Sequence, residues 1–546
     1  MDTSQLKRYA TQARRDVRDA VSARAKRIGV NEGNIQRYAE RGDLLIIGEQ
    51  TFPGECKQAF DALYSEVGTR GFEALVDEAA YTWFNRFVAL RFMELHDYFP
   101  HGLRVLSSTD EDPTPQILRN PLQLHFSYGF NKAKAHELFD AGNKEEELYR
   151  MVLIAQCNEL NTIMPFLFER VSSVSELLLP DNLLASDSII RKLASEIEES
   201  AWFEGVEIIG WIYQYYISEK KDEVIGKVVK SEDIPAATQL FTPNWIVKYL
   251  VQNSVGAYWL GTYPDSPLAE KMEYYIKPAE QDASVLEELK KITPSEIDPE
   301  SITVLDPACG SGHILVEAYD VLKEIYLERG YRPREIPRLI LEKNLFGLDI
   351  DGRAAQLASF ALLMKARADD TSIFSADHPV KLNIVEIVEA DFNIDEAVEV
   401  LTKGKDVSIE QTELPLTTDG SLTPSELREF LELFKEAKTF GSLITVPEEL
   451  KPKIAVIERL AGKRARGGHS AWDWFGSIDG KRVLRICEQA KVLSGVFDAV
   501  VANPPYMGNR YLTPKLKAFL KANFAGYEKD LFAAFIVHCL TTTKYG

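Results

Sequence analysis

The chain has 546 residues, of which 45% are hydrophobic and 27% are charged, and its formal net charge is −20 at pH 7. This length and apolar content support several domains around a large core, and no apolar run is long enough to indicate a membrane span. The acidic balance argues against a nucleic-acid partner unless Lys and Arg cluster locally, because phosphate contacts depend on clustered cations.

The first 30 residues contain eight Lys and Arg and three Asp, with no apolar run between charged flanks. They therefore indicate a basic surface helix rather than a secretory signal. The five cysteines are scattered and never spaced C-x-x-C, so the sequence predicts neither a disulfide framework nor a metal site. We expect a reduced, cytoplasmic protein without a membrane association.

Residues 1–225 are predicted to form a mostly helical domain. The segment "FEALVDEAAYTWFNRFVALRFMELHDYF", residues 72–99, places apolar residues three and four apart, which is typical of a long helix. Asp43, Glu55 and Lys57 have the D…E-x-K outline of a nuclease metal site. Such a site needs the E-x-K on a strand, whereas this segment indicates the start of a helix.

The remainder of the chain alternates strands and helices. Thr242, as an N-cap, and Pro243, as the first helical residue, predict a helix start. Residues 301–330 predict a strand, a glycine loop and an amphipathic helix, and residues 344–368 repeat strand, turn and helix. A third strand is predicted to end at Asp391 and Phe392. This alternation favours a parallel sheet with helices on its faces.

Residues 395–490 interrupt the alternation and predict a helical insertion, with a capping box from Thr423 to Glu426. Its basic segment "GKRARGGH", residues 462–469, is interpreted either as a solvated loop or as a contact to a phosphate backbone. Residues 497–502 then predict a buried strand that runs into "NPPY". Because two prolines forbid helix and stop sheet pairing, this is a stiff elbow at a strand's carboxyl end. A further strand is expected to follow the last segment, residues 529–546, so the sheet is expected to be unfinished.

The glycine loop "LDPACGSGH" predicts the kind of cofactor. Gly310 and Gly312 allow the backbone to approach a ligand. Asp306 precedes them, and the third glycine of a dinucleotide loop is missing. A carboxylate here repels a pyrophosphate but attracts an ammonium group, and Pro307 stiffens the turn. The loop therefore favours S-adenosylmethionine over NAD or ATP.

Acidic residues at the next two strand ends suit the same ligand. Asp349 is placed to accept hydrogen bonds from both ribose hydroxyls. Asp391 is placed to bond the adenine amino group, and Phe392 to contact the adenine ring. Each signal is weak alone, but their order at successive strand ends predicts a nucleoside pocket.

"DPACGSG" followed by "NPPY" resembles the amino-group DNA methyltransferases of the N6-adenine class. "QLFTP" before the glycine loop matches the gamma-type order. With the long helical N-terminal half, "DPACGSGHILVEAYD" and "VVANPPYMG", the chain resembles the PglX-type adenine methyltransferases of type 1 BREX phage-defence systems. The resemblance covers the whole chain and is most specific in residues 238–546.

The resemblance implies an α/β fold, with a Rossmann-like S-adenosylmethionine-dependent methyltransferase sheet that is incomplete at the C-terminus. It implies a large α-helical N-terminal domain (1–225), a cofactor-binding part with the motif-X helix (226–394), a helical insertion (395–490) and a truncated catalytic part (491–546). The target-recognition domain is expected to be absent. Double-stranded DNA is then bound mainly through that domain, and other BREX proteins are candidate partners.

The implied reaction is site-specific methylation of a flipped-out adenine at N6. The Asn503 side-chain oxygen and the Pro504 carbonyl would accept the amino hydrogens, Pro505 would stiffen the elbow, and Tyr506 would stack on the base. Thr242 would contact the methionine part of the cofactor, and Asp306 its ammonium. The implied cofactor-binding residues are Thr242, Pro243, Asp306, Pro307, Ala308, Gly310, Gly312, Asp349, Ile350, Asp391, Phe392 and Asn503.

Three other functions stay open. A fused restriction-modification methyltransferase-nuclease would need Asp43, Glu55 and Lys57 to bind a divalent metal. A non-catalytic scaffold would bind the cofactor and recruit other defence proteins. A methyltransferase acting on protein glutamine also uses an Asn-Pro-Pro-Tyr elbow.

Overall fold

The computed structural model describes residues 3–127, 129–168, 174–224, 229, 233–238, 242–402, 422–466 and 480–544. The chain divides into two compact units, residues 1–220 with 359–380 and residues 221–358 with 381–546. Of the predicted segments, residues 239–241 of "QLFTP" and residues 467–469 of the basic segment lie outside the described residues. Within the described ranges, no helix is both long enough and apolar enough to cross a membrane.

The first unit is mainly helical, as predicted, and it also contains two small antiparallel sheets. Its strands are β1 (Val30–Asn31), β2 (Asn34–Ile35), β3 (Ala39–Arg41), β4 (Leu44–Ile47) and β5 (Gln50–Pro53). Strand β1 pairs with β2, and β4 pairs with both β3 and β5. Strands this short carry too few residues for an alternating pattern, so the sequence does not predict them. The helices up to the end of this part of the chain are α1 (Thr3–Arg27), α2 (Lys57–Arg70), α3 (Phe72–Leu95), α4 (Lys132–Ala141), α5 (Glu145–Leu160), α6 (Val174–Leu177), α7 (Ile189–Glu196), α8 (Glu199–Trp202), α9 (Glu207–Tyr216) and α10 (Ser218–Val224).

Helix α1 differs from the basic surface helix that its composition predicts. Ala13, Val17 and Val21 lie four residues apart and are buried, so one face of the helix belongs to the core. On another face, Arg18 Nε lies 2.8 Å from Asp77 Oδ1. Acidic residues of the same unit therefore pair with part of the helix's positive charge.

The D…E-x-K pattern of Asp43, Glu55 and Lys57 lacks the strand that a nuclease metal site requires. Asp43 lies in the turn between β3 and β4, Glu55 lies in a 3₁₀ turn, and Lys57 begins helix α2. The Lys57 ammonium is 2.7 Å from Glu40 Oε1. The predicted helix start is confirmed.

The second unit is built on a four-stranded parallel sheet. Its strands are β6 (Val304–Asp306), β7 (Leu345–Asp349), β8 (Asn383–Glu386) and β9 (Ala499–Val500). The helices of the remaining chain are α11 (Ile234–Thr238), α12 (Asn244–Val251), α13 (Ala257–Thr262), α14 (Leu268–Lys271), α15 (Ala283–Ile292), α16 (His313–Glu328), α17 (Ile336–Leu339), α18 (Gly352–Asp369), α19 (Ile394–Thr402), α20 (Pro424–Glu432), α21 (Ala437–Phe440), α22 (Ile454–Arg466), α23 (Gly480–Leu493), α24 (Pro514–Asn523) and α25 (Leu531–Thr541).

The strand order of this sheet is β8-β7-β6-β9, and all neighbours are parallel. The order reverses between β6 and β9, since the chain adds strands on one side of β6 and then returns to the other side. In open α/β sheets, ligands bind beyond the carboxyl ends of the strands at such a reversal. Beyond β9, Thr543 pairs in parallel with Phe497.

The insertion predicted over residues 395–490 is helical where it is described, and it packs on the sheet. One hydrophobic cluster joins Leu305 and Leu348 of the strands to Phe430, Ile457 and Val483 of the insertion. The insertion therefore covers part of the sheet rather than forming a separate core. The capping box predicted at residues 423–426 is confirmed at the start of α20.

A polar clamp sets the register of β6 and β9 at their amino ends. Asp498 Oδ2 accepts hydrogen bonds from the backbone N–H and the hydroxyl of Thr303, both at 2.8 Å. Tyr258 donates to Asp498 Oδ1 at 3.2 Å, and the Lys544 ammonium lies 2.8 Å from Oδ2. A slip of one residue would exchange the two faces of a strand, so this clamp controls which side chains of β9 reach the core.

We expect Asp498→Ala to lower the free energy of unfolding by roughly 2–3 kcal/mol, because it removes charge-assisted hydrogen bonds and leaves a backbone N–H without its acceptor. Urea denaturation followed by circular dichroism measures this change. Glu432→Ala, which removes a carboxylate 3.6 Å from the Lys435 ammonium at the surface, is the control and should cost much less. Equal losses in the two variants would contradict the clamp.

Candidate active site

The glycine loop connects β6 to α16 at the carboxyl edge of the sheet. Gly310 and Gly312 have positive φ angles of +52° and +87°, which side chains rarely adopt. A Cβ at Gly312 would lie 3.0 Å from the Ala358 Cα, so glycine there allows close packing against α18. A Cβ at Gly310 would meet nothing within 4 Å, so that glycine borders open space.

Asp306 is the last residue of β6, and only 1% of its surface is exposed. Burial raises the pKa of its carboxyl group to about 8, and the charge of Asp349 acts in the same direction. Against this, the Ala308 N–H donates a 3.1 Å hydrogen bond to Asp306 Oδ1. The site thus contains a buried acid whose ionised form is poorly stabilised, which is a place for a cation.

Asp349 is the last residue of β7, and it links two loops. Its Oδ2 accepts from the Gly310 N–H at 2.8 Å, and its Oδ1 accepts from the Asp351 N–H at 2.7 Å. Burial raises its pKa to about 6, although these two bonds favour the charged form. The carboxylate predicted to hold a ribose therefore also shapes the glycine loop.

The elbow follows β9 directly. Val501 N–H bonds the Leu305 carbonyl at 2.9 Å, which continues the pairing with β6. Two residues later, Asn503 Nδ2 donates a 2.8 Å hydrogen bond to the Thr242 hydroxyl. This bond joins residues 261 positions apart, and it orients the Asn503 amide group. The structure thus brings together two residues that the sequence places in separate segments.

The prediction that Thr242 is an N-cap is wrong by one position. Helix α12 begins at Asn244, and Pro243 is its N-cap with extended backbone angles. The φ and ψ angles of Pro243 are −52° and 138°, so the helix cannot include it. Thr242 therefore precedes the cap, and its hydroxyl accepts from Asn503 instead of from the helix.

Tyr506 is 56% exposed. Its ring centroid lies 5.9 Å from that of Phe532 at the start of α25. The backbone beside it is anchored to the same helix, because the Leu531 N–H bonds the Met507 carbonyl at 3.1 Å. The tyrosine ring is thus held on a rigid elbow with an accessible face.

The third strand ends earlier than predicted, at Glu386 rather than at Asp391. The buried Gln489 side chain accepts from the Val388 N–H at 2.6 Å and donates to the Val388 carbonyl at 3.0 Å. The Ile387 N–H still bonds the Asp349 carbonyl at 2.8 Å, and the next residue, Val388, is bonded to a side chain rather than to a strand. Asp391 lies in the following loop, paired with Arg482, whose guanidinium lies 5.6 Å from the Phe392 ring centroid.

Three residues of the insertion contact the predicted pocket, and no motif identifies them. Ser442 donates a 2.6 Å hydrogen bond to the Pro307 carbonyl, and the Lys438 ammonium bonds the Ile350 carbonyl. Arg482 pairs with Asp391, as described above. Their signal in the sequence is weak because they come from helices and turns without a common spacing. Among the described residues, no group of three or more His, Cys, Asp or Glu could hold a metal ion.

The four-stranded parallel sheet and the helices around it fit an α/β methyltransferase. Residues 343–546 match the Eco57I restriction-modification methylase family, and residues 280–387 match the DNA-methyltransferase domain of MmeI. The second match includes the glycine loop, and the first includes the elbow.

Over its whole length, the chain is similar to two curated proteins. It is 49% identical to adenine-specific methyltransferase BrxX of Escherichia coli O9:H4 (strain HS) and 33% identical to adenine-specific methyltransferase PglX of Lacticaseibacillus casei (strain Zhang). The resemblance predicted from the motifs is therefore confirmed. The chain spans 46% of the length of each of these relatives.

A more distant similarity links the chain to RM.Eco57I of Escherichia coli, a type II restriction enzyme and methyltransferase. The two are 26% identical over 194 residues, which is 32% of this chain and 16% of that protein.

Asp306→Asn is expected to stabilise the ligand-free chain in a pH-dependent way. The pKa of Asp306 is about 8 in the folded chain and roughly 4 in an unfolded one. Between about pH 4 and pH 8 the chain takes up a proton when it folds. The contribution of the neutral acid to the free energy of unfolding is therefore fully present below about pH 4 and is lost as the pH rises toward 8. The advantage of the variant should grow by about 1.4 kcal/mol per pH unit across that window.

Denaturation at pH 5 and at pH 8 measures this difference. Asp395→Asn, at a side chain that is 75% exposed, is the control, and its effect should not grow with pH. A constant difference between wild type and Asp306→Asn would contradict the burial of an ionisable acid.

Proposed function

We propose that the chain carries the cofactor pocket and catalytic elbow of an S-adenosylmethionine-dependent DNA adenine-N6 methyltransferase of a BREX-type phage-defence system. The observation that carries the proposal is the 2.8 Å hydrogen bond between Asn503 and Thr242. This bond orients the amide of the elbow, and the parallel pairing of β9 with β6 supports a position for the elbow at the edge where Asp306 ends its strand. In this proposal the sheet is the cofactor-binding core of a Rossmann-like fold, consistent with its strand order β8-β7-β6-β9.

The described residues fit S-adenosylmethionine. The buried Asp306 carboxyl would pair with the ammonium group, which would stabilise its ionised form. Asp349 would accept the ribose hydroxyls while it holds the Gly310 N–H, and the open space beside Gly310 admits the ligand. When bound, S-adenosylmethionine supplies an electrophilic methyl group on its sulfonium.

The elbow residues would then activate the target amine by position alone. The lone pair of adenine N6 is delocalised into the ring, so the amine is a poor nucleophile. The Asn503 side-chain oxygen and the Pro504 carbonyl would accept its two hydrogens and favour a pyramidal nitrogen. Pro504 and Pro505 restrict the backbone, so these acceptors are preorganised. The exposed Tyr506 ring would stack on the flipped base.

The methyltransferase-nuclease alternative receives its support from the similarity to RM.Eco57I. In the first unit, however, Glu55 and Lys57 lie at a helix start rather than on a strand. The methyltransferase proposal explains the described contacts without a metal. Loss of DNA cleavage in a Lys57→Ala variant of an active nuclease would favour the alternative.

Calorimetric titration with S-adenosylmethionine tests the pocket. At pH 7 the ligand-free Asp306 is mostly protonated, because its pKa is about 8, and pairing with an ammonium requires it to ionise. We therefore expect binding to release close to one proton, measured as a dependence of the heat on the buffer's ionisation enthalpy. Asp306→Asn should abolish this dependence and weaken binding, and Asp349→Ala should weaken binding further by loss of the ribose acceptor. Binding without proton release would exclude Asp306 as the ammonium partner.

Asn503→Ala separates catalysis from binding. We expect the variant to bind S-adenosylmethionine within a few-fold of wild type, while transfer of a labelled methyl group to unmethylated DNA falls by about 10²–10³. Mass spectrometry of the digested DNA identifies N6-methyladenine as the product. Asp395→Ala, at an exposed site, is the control and should leave transfer unchanged. An Asn503→Ala chain with full transfer would overturn the catalytic assignment, and a scaffold would show no transfer in the wild type.

A further inference from the structure

A concentration of basic residues lies where helices α22 and α23 meet. Residues 459–466, at the end of α22, and residues 480–487, at the start of α23, contain no Asp or Glu. The formal net charge of the chain is −20, so this is a local reversal of sign. We call the following six cations the basic hairpin end: Arg459, Lys463, Arg464, Lys481, Arg482 and Arg485.

The ends of the two helices are in close contact, so these cations belong to one surface. A Cβ at Gly480 would lie 2.5 Å from the Ala461 carbonyl oxygen and 3.3 Å from the Arg464 Cβ. Around this contact, the side chains of Arg459, Lys463 and Lys481 are exposed. Only a glycine at 480 lets the helices approach so closely, and the approach brings their charges together.

The basic hairpin end lies at the carboxyl edge of the sheet. Arg485 pairs with Glu386, the last residue of β8, and Arg482 pairs with Asp391 in the loop that follows. Glu386 is in register with Asp349 on the neighbouring strand. The cations therefore border the edge that carries the candidate active site.

Two cations of this surface pair with acidic side chains. The Arg482–Asp391 and Arg485–Glu386 pairs are partly exposed, and such pairs contribute little free energy. Glu386 is shared with the Lys438 ammonium at 2.6 Å. Residues 459–466 and 480–487 contain no acid of their own, so these two segments carry positive charge, and a polyanion could replace the weak pairs.

We propose that the basic hairpin end binds the phosphate backbone of duplex DNA and holds the duplex beside the active site. This inference rests on the proposed function, which supplies DNA as the polyanion. Phosphate contacts fix position and orientation but carry no base sequence, so this surface would bind DNA of any sequence. It would give an acidic chain a DNA contact of its own, independent of sequence reading.

The test compares two variants that each remove three positive charges. One carries Arg459→Gln, Lys463→Gln and Lys481→Gln in the basic hairpin end. The matched control carries Lys271→Gln, Lys290→Gln and Lys291→Gln, at exposed lysines of α14 and α15. Fluorescence anisotropy measures the affinity for a labelled duplex over a series of salt concentrations, and S-adenosylmethionine titration checks the pocket of each variant.

We expect the first variant to bind DNA at least about tenfold more weakly at low salt. The slope of log affinity against log salt should fall by about 2–3, because each lost phosphate contact removes about 0.9. The control should keep nearly the wild-type slope. Both variants should bind S-adenosylmethionine as wild type does.

Equal losses in the two variants, an unchanged slope in the first, or no DNA binding by wild type would each overturn the inference. Loss of polyglutamate binding with retention of DNA binding would assign the surface to an acidic protein and would also overturn it. A chain that shows the expected salt slopes but does not bind S-adenosylmethionine would count against the proposed function alone.

Discussion

The second unit depends on the pairing of the three-residue strand β6 with a strand on each side. Its backbone groups are buried, so each must be bonded, and two parallel neighbours satisfy them. The clamp between Asp498 and Thr303 selects one register for the return strand β9. Once that register is set, the elbow after β9 must emerge beside Asp306. The placement of Asn503 is thus a consequence of sheet pairing rather than of any local preference.

The two buried acids at the carboxyl edge of the sheet lower the stability of the ligand-free fold, and they suit a cationic ligand. Burial raises the pKa of Asp306 to about 8 and that of Asp349 to about 6, so two acids share a region that poorly stabilises their charge. Isolated buried charges are unfavourable unless they are paired. A cationic ligand would supply the missing partner. Groups with perturbed pKa values occur often at binding sites for this reason.

The helical insertion has two roles in the second unit. Its apolar residues complete a hydrophobic cluster with the strands, and its polar residues reach the loops of the candidate site. Gln489 bonds the backbone of Val388 just beyond the third strand, and Arg482 pairs with Asp391 in the loop that follows. The same helix therefore borders the sheet and contributes to its electrostatics. Net charge of the whole chain conceals this, because it averages over opposite local signs.

The sequence by itself determined the features that depend on neighbours in the chain. The glycine loop, the proline elbow and the capping box are local, since backbone torsion preferences and short spacings encode them. Tertiary structure decided three other features. They are the helix cap at Pro243 rather than Thr242, the early end of β8 and the burial of one face of α1. In each case a partner far away in the chain competes with the local preference: Asn503 for Thr242, Gln489 for Val388, and core packing for the apolar face of α1. These partners do not lie at any fixed distance along the sequence, so no sequence pattern reveals them and only the folded chain brings them together.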